Sequence, residues 1–257
     1  MWHYQEMGSG RPLILLHGIG MSHAAWKPVL PLLARERRVI AFDVAGFGKT
    51  PPLPAGTPPT MPNLVAALAA SLRELGITEP VDMAGNSMGG YMALEAAKAG
   101  LARSVVAISP AGLWHGHSSP LVKYVFDSMR FATRTFPALV KTSLRVPPLR
   151  ELFLAVPVSV GGWHMPADDA IGAALDFANA TGFDDTFASV APFSGGQGIT
   201  VPMTIAFGTR DWLLTAGARN RGELPGHVRW LEPQGWGHVP MWKDPQGVAG
   251  LILAGTV

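Results

Sequence analysis

The stretch that most limits how this chain can fold is Val81-Asp82-Met83-Ala84-Gly85-Asn86-Ser87-Met88-Gly89-Gly90. An apolar run closes on Gly-x-Ser-x-Gly, and an Ala-rich helical pattern, Tyr91 to Lys98, follows at once. A serine on such a strand-to-helix turn is held in a strained backbone conformation with its hydroxyl exposed. Its neighbours have to be small. A β-carbon at residue 85 or 89 would collide with adjacent backbone, and Gly90 lets the helix lie close to the strand. Ser87 is therefore the first candidate nucleophile.

The flanking chain supplies the sheet this turn needs. Apolar runs at Trp2–Met7, Leu13–Leu16, Val39–Phe42, Val105–Ile108, Met203–Phe207 and Val228–Leu231 read as strands, most of them buried on both faces. Helical patterns separate them. Ala24–Arg37 is one, irregular at its start because of Pro28 and Pro31. Leu64, Leu68, Leu72 and Leu75 form a second, and Asp244–Leu253 a third, with Asp244 as cap and Pro245 at the first helical position. Strands alternating with helices predict an α/β fold built on a mostly parallel, doubly wound sheet. Sites in such sheets lie at the carboxyl ends of the strands, where Ser87 falls.

The alternation stops between about Leu113 and Phe193. Short helical patterns replace it at Leu121–Ala132, Pro137–Leu144, Pro148–Ala155 and Pro166–Ala178, in a region rich in Phe, Met, Trp and Pro. The chain thus divides into 1–112 and 196–257, forming the α/β core, and an insertion at 113–195. At 257 residues this suits one core with one insertion.

Composition removes several function classes. Charged residues make up only 15% and the net charge is +2, with no Lys/Arg run longer than Arg37-Arg38, so no nucleic-acid surface is expected. There is no cysteine, which excludes disulfides, thiolate metal sites and a Cys nucleophile. Gly48-Lys49-Thr50 is not a phosphate loop, because Asp43 stands where the first glycine of that motif belongs. The opening residues lack the basic start and long apolar run of a signal peptide, and no membrane helix is evident. A cytoplasmic monomer or homodimer is expected, with no metal and no cofactor; no His cluster in the sequence suggests a metal site.

On the elbow at Gly85–Gly90 the chain resembles the α/β-hydrolase family, and the resemblance extends over nearly the whole core. His17-Gly18-Ile19 is similar to the family's loop that contributes one oxyanion-hole N–H, which assigns that donor to Ile19 and leaves His17 a bracing role. The same resemblance implies the backbone N–H of Met88 as the second donor. Asp43 to Thr50 is similar to the family's Asp-x-x-Gly-x-Gly-x-Ser loop, with Thr50 in the last place. The family's chain order of Ser, acid, His places the acid at Asp211, in Gly-x-x-Asp, and the base at His238, in Gly-x-Gly-His-x-Pro. Ser109-Pro110-Ala111-Gly112 offers no rival carboxylate, and Asp82, Asp168, Asp169, Asp184, Asp185 and Asp244 read as helix-start or surface residues. The insertion matches the position of the family's helical cap. Trp114, Phe126, Met129, Phe131, Phe153 and Trp163 are then candidates to line the pocket, although packing within the insertion is the plainer role for each. His115, His117 and His164 are candidate substrate contacts whose plainer role is surface.

The resemblance implies a serine hydrolase acting on a small hydrophobic ester, a carboxylesterase. The next reading is a carbon–carbon bond hydrolase of ring-cleavage products, whose elbow is very like Gly85–Gly90. That group carries His-Gly-x-Gly-Pro-Gly and a Trp after the catalytic His, whereas this chain has Met21-Ser22 and Val239. An enol-lactonase, thioesterase or perhydrolase would use the same triad. A ligand-binding protein on this fold is the non-enzymatic alternative.

Overall fold

A computed structural model describes residues 1–114, 120–155 and 161–256. Seven strands form one sheet in the order β1-β3-β2-β4-β5-β6-β7. They are β1 (Tyr4–Met7), β2 (Pro12–Leu16), β3 (Arg38–Phe42), β4 (Val81–Asn86), β5 (Ala102–Ile108), β6 (Met203–Ala206) and β7 (Arg229–Leu231). Only the β1–β3 pair is antiparallel. The expected mostly parallel sheet of the α/β-hydrolase type is present.

Period-two alternation shows why the strands read as continuous apolar runs. Ile14 and Leu16 of β2 point into one core, and Leu13 and Leu15 into the other. The first core is covered by α2 (Met61–Glu74) and α3 (Met88–Lys98), the second by α1 (Leu30–Leu33) and α9 (Pro245–Gly255). All four of those β2 side chains are fully buried.

Two readings change. The helix expected over Ala24–Arg37 is reduced to a 3-10 turn at His23–Trp26 and the four-residue α1. Pro28 and Pro31 each remove a backbone donor, which breaks the run. Asp82 is not a surface residue but is buried in β4. Ser104 Oγ donates to it at 2.7 Å, and Arg11 and Arg103 reach it at 3.1 and 3.0 Å. A buried carboxylate needs such partners.

The insertion carries five helices among its described residues: α4 (Pro120–Thr135), α5 (Pro137–Arg145), α6 (Pro147–Leu154), α7 (Ala167–Asn179) and α8 (Phe183–Ser189). The short α8 was not legible in the periodicity. Phe126, Phe177, Phe183 and Phe187 tie α4, α7 and α8 together with centroid distances from 5.3 to 6.5 Å. Arg130 lies 4.1 Å over the Phe183 ring and bonds Asp184 at 3.0 Å. Polar links tie the insertion to the core. Ser22 donates to Asp176 at 2.6 Å, Lys27 to Asp169 at 2.6 Å, and the Gly182 N–H to the Gly46 carbonyl at 2.9 Å. No described helix is long and apolar enough to cross a membrane.

Candidate active site

Ser87 stands between the end of β4 and the first residue of α3, at φ +54° and ψ −117°. That region is costly for a residue with a β-carbon, and here the surroundings impose it. A β-carbon on Gly85 would strike the Gly89 carbonyl, and one on Gly89 the Leu16 carbonyl. The turn is therefore held between two strands' backbones, as the sequence predicts.

The residue before the serine is tied just as firmly. Asn86 is fully buried, and its Nδ2 donates to the carbonyls of Ile108 at 3.1 Å and His238 at 2.8 Å. It joins the elbow to the loop that carries His238. This link spans 152 positions in the chain, and nothing local in the sequence signals it.

Asp211 and His238 come together as expected. His238 Nδ1 lies 3.0 Å from Asp211 Oδ2, and both residues are buried. Asp211 Oδ1 accepts the N–H groups of Leu213 and Leu214 at 3.0 and 2.9 Å. Burial by itself would raise the Asp211 pKa. The His238 ring, the Leu214 N–H and the Ser109 hydroxyl outweigh it and hold the carboxyl below its ordinary range. Arg219, not foreseen from the sequence, clamps this loop by donating to the carbonyls of Leu214 and Gly208 at 3.3 and 3.2 Å while stacking on Phe207.

The Ile19 loop abuts the serine: a β-carbon built on Gly18 would sit 3.3 Å from Ser87 Cβ. His17 braces it. Its Nε2 accepts the Val44 N–H at 3.0 Å, so Nδ1 carries the proton and donates to the Gly18 carbonyl at 2.7 Å. Complete burial pushes its pKa down to about 4, so the ring is neutral near pH 7. Asp43 organises the neighbouring loop. One oxygen accepts the His23 N–H and Nδ1, the other the Lys49 N–H and His3 Nδ1, at 2.7–2.9 Å. Burial opposes its ionisation, but the His23 and Lys49 bonds prevail and hold its pKa far below the carboxylate range. His3, His23 and Asp43 thus form a cluster of metal-ligating side chains, with ligand atoms within 4.8 Å of one another, that the sequence did not disclose. The four bonds to Asp43 already tie His3, His23 and the Lys49 backbone to it.

Two cavities open at Ser87. One, of about 80 Å³, is lined by His238, Val239, Met21, Met129, Phe153 and Phe177 among others. The second, of about 280 Å³, is lined by Met88, Ala111, Trp114, Val122, Phe187 and Val190 among others. Ile19, Ser87, Phe126 and Leu213 border both. Neither lining contains Lys, Arg, Asp or Glu among the described residues.

Of the six expected pocket residues, Trp114, Phe126, Met129 and Phe153 line these cavities. Phe131 and Trp163 do not: they are 65% and 59% exposed. Phe131 follows Arg130, which faces the aromatic cluster, and so falls on the outer side of α4. Trp163 sits in a 3-10 turn at Gly162–His164, on the surface with His164. His115 and His117 lie outside the described residues. The sequence reading missed Phe177, Met165 and Leu213. Phe177 could have been found, because the buried Ala170, Ala174 and Ala178 mark the inward face of α7 beside it.

A family model for the alpha/beta hydrolase fold matches residues 11–245. Among curated proteins the chain is similar to a 2-hydroxy-6-oxo-6-(2'-aminophenyl)hexa-2,4-dienoic acid hydrolase of Metapseudomonas resinovorans, 35% identical over 131 residues. It is also similar to a 2-hydroxy-6-oxo-2,4-heptadienoate hydrolase of Pseudomonas putida, 42% identical over 92 residues. Those alignments cover 48% and 35% of this chain and 44% and 33% of the relatives, so the chain matches less than half the length of each. Among solved structures it is similar in fold to an esterase from Thermogutta terrifontis, with TM-score 0.71 at 21% identity over 98% of this chain and 91% of that one. With the sheet order, the elbow and a family match over most of its length, the chain belongs to the α/β-hydrolase fold family.

Proposed function

We propose that the chain is a serine hydrolase that cleaves carboxylic esters through an acyl-enzyme on Ser87, with residues 113–195 as its cap. A serine hydroxyl is a weak nucleophile at neutral pH and needs an adjacent base. His238 takes the Oγ proton as Oγ attacks the ester carbonyl carbon. The carbon–oxygen bond to the alcohol then breaks, and the same proton passes to the departing oxygen. Water repeats the sequence to release the acid. Asp211, held ionised, fixes the imidazole tautomer and stabilises the imidazolium. The backbone N–H groups of Ile19 and Met88 receive the oxyanion, aided by the dipole at the start of α3.

The observation that carries the ester reading is that no Lys, Arg, Asp or Glu lines either cavity at Ser87 among the described residues. The second reading, a carbon–carbon bond hydrolase, is favoured by what the curated relatives act on. A dienoate substrate brings a carboxylate, and burying one without a cationic partner costs several kcal/mol. Asn86, which links the elbow to that group, spends its amide donors on backbone carbonyls here. The test is turnover of a simple ester beside a ring-cleavage dienoate, with fluorophosphonate labelling of Ser87. Labelling with ester turnover supports the proposal. Turnover of the dienoate alone sinks it, and absence of both labelling and turnover favours a binding protein.

A further inference from the structure

The two cavities at Ser87 differ in size, and they differ in which reacting group they contain. His238 and Val239 line only the smaller one, and Met88 lines only the larger. We propose that the smaller cavity takes the alcohol and the larger the acyl chain, so that the substrates are esters of small alcohols with bulky apolar acids. The proposal rests on the esterase reading above and adds to it the division of the substrate.

The assignment follows from the tetrahedral intermediate. Its carbon carries four groups: Ser87 Oγ, the oxyanion, the departing alkoxide and the acyl chain. The oxyanion is directed at the N–H groups of Ile19 and Met88. The alkoxide oxygen must receive the proton that His238 took from Oγ, so it lies on the His238 side. The group attached to that oxygen enters the cavity lined by His238. The acyl chain has the remaining direction, past Met88 and Ala111 toward Val122 and Val190. Phe126 and Leu213 border both cavities at Ser87.

Volume then sets the class. An apolar protein cavity of about 150 Å³ holds one benzene ring. At about 80 Å³ the smaller cavity is under that size and suits a methyl to propyl group. At about 280 Å³ the larger holds a hexyl or phenylethyl chain. Phe153 and Met129 line the small cavity, and neither lines the large one. A p-nitrophenyl ester carries its ring on the alcohol side and is a poor match.

The test is two series of alkyl esters followed by acid release at constant pH. One varies the alcohol (methyl, propyl, hexyl, 2-phenylethyl) on 3-phenylpropanoate. The other varies the acid (acetate, butyrate, hexanoate, 3-phenylpropanoate) as its ethyl ester. The expected result is that kcat/KM falls about tenfold or more from methyl to hexyl alcohol and rises from acetate to 3-phenylpropanoate. Phe153→Ala and, separately, Met129→Ala should extend the alcohol range while keeping the acid ranking. Val190→Phe should shorten the acid range alone. A preference for long alcohols with short acids, or an acid ranking altered by both Phe153→Ala and Met129→Ala, overturns the assignment and leaves the esterase reading intact. No turnover of any ester, with Ser87 unlabelled by a fluorophosphonate, overturns both.

Discussion

The α/β core and the inserted helices are built by different physics. In the core Ser87, Asp211 and His238, the proposed reacting groups, are placed by backbone contact and directional bonds: the Gly85–Gly89 approach, the Asn86–His238 link and the Asp211 N–H cradle. The insertion is a set of helices in which aromatic contacts tie α4, α7 and α8 together. It exposes Tyr124, Phe131, Phe136, Leu139, Val146, Leu149, Leu152 and Trp163, whereas the exposed large apolar residues outside it are Met1, Met7 and Trp212. Directional contacts fix positions to a fraction of an ångström, and apolar packing fixes a shape. Changes in the core should therefore alter rate, and changes in the insertion should alter which substrates fit.

The sharpest break of that comparison is at Ser87, the proposed nucleophile. Ser87→Ala should lower ester turnover by about 10⁴-fold or more, with an unchanged circular dichroism spectrum and no fluorophosphonate labelling. Next comes the positioning link. Asn86→Leu should lower kcat by about 10²-fold with KM little changed, because it frees the His238 loop without touching substrate. A rise in KM with kcat intact would place Asn86 in binding instead.

A third test probes the core through pH. His17 is neutral in the fold, with a pKa of about 4 against the ordinary 6.5. The unfolded chain binds the extra proton first, so the contribution of His17 is complete above pH 6.5 and is lost as pH falls toward 4. The loss is on the order of 3 kcal/mol at most. Urea unfolding between pH 7.5 and 4.5 should show this slope, and His17→Asn should flatten it. Asp43 and Asp211, whose pKa values are lowered, start to lose their contributions as pH falls through the ordinary carboxylate value near 4, so they touch only the lower edge of this window.

The smallest effect lies at the seam between the two regions. Burial raises the Asp176 pKa, opposed by the Ser22 bond, while nearby Asp43 adds to the rise. A carboxyl raised in the fold favours stability at low pH and loses that contribution as pH passes its folded value. Asp176→Asn keeps an acceptor for Ser22 and removes the charge. It should raise Tm at pH 7 by about 1–3 °C and leave it unchanged or lower at pH 4.

Much of the core was legible because its signals are local. The strand runs, the glycines around Ser87 and the Gly-x-Gly-His-x-Pro stretch are each set within a few residues. The pocket was only half legible. Phe126 and Phe131 sit five apart on one helix and are equally apolar, yet one roofs Ser87 and the other faces water. Composition does not record which way a helix is rolled. Asp82 misled for a related reason, since its partners Arg11 and Arg103 arrive on β2's approach and on the neighbouring strand β5.

The sequence alone determined the strand–turn–helix at Ser87 and the parallel sheet behind it, while the order of serine, acid and histidine came from the resemblance to the family. Steric limits on a β-carbon and the two- and 3.6-residue periods act over short distances, so they can be read directly. Only the tertiary structure decided that Asn86 holds the His238 loop and that His3 and His23 meet on Asp43. It alone divided the space at Ser87 into a small cavity and a large one. Those outcomes join positions 20 to 152 residues apart. They depend on how whole layers pack, and no short window of sequence contains that information.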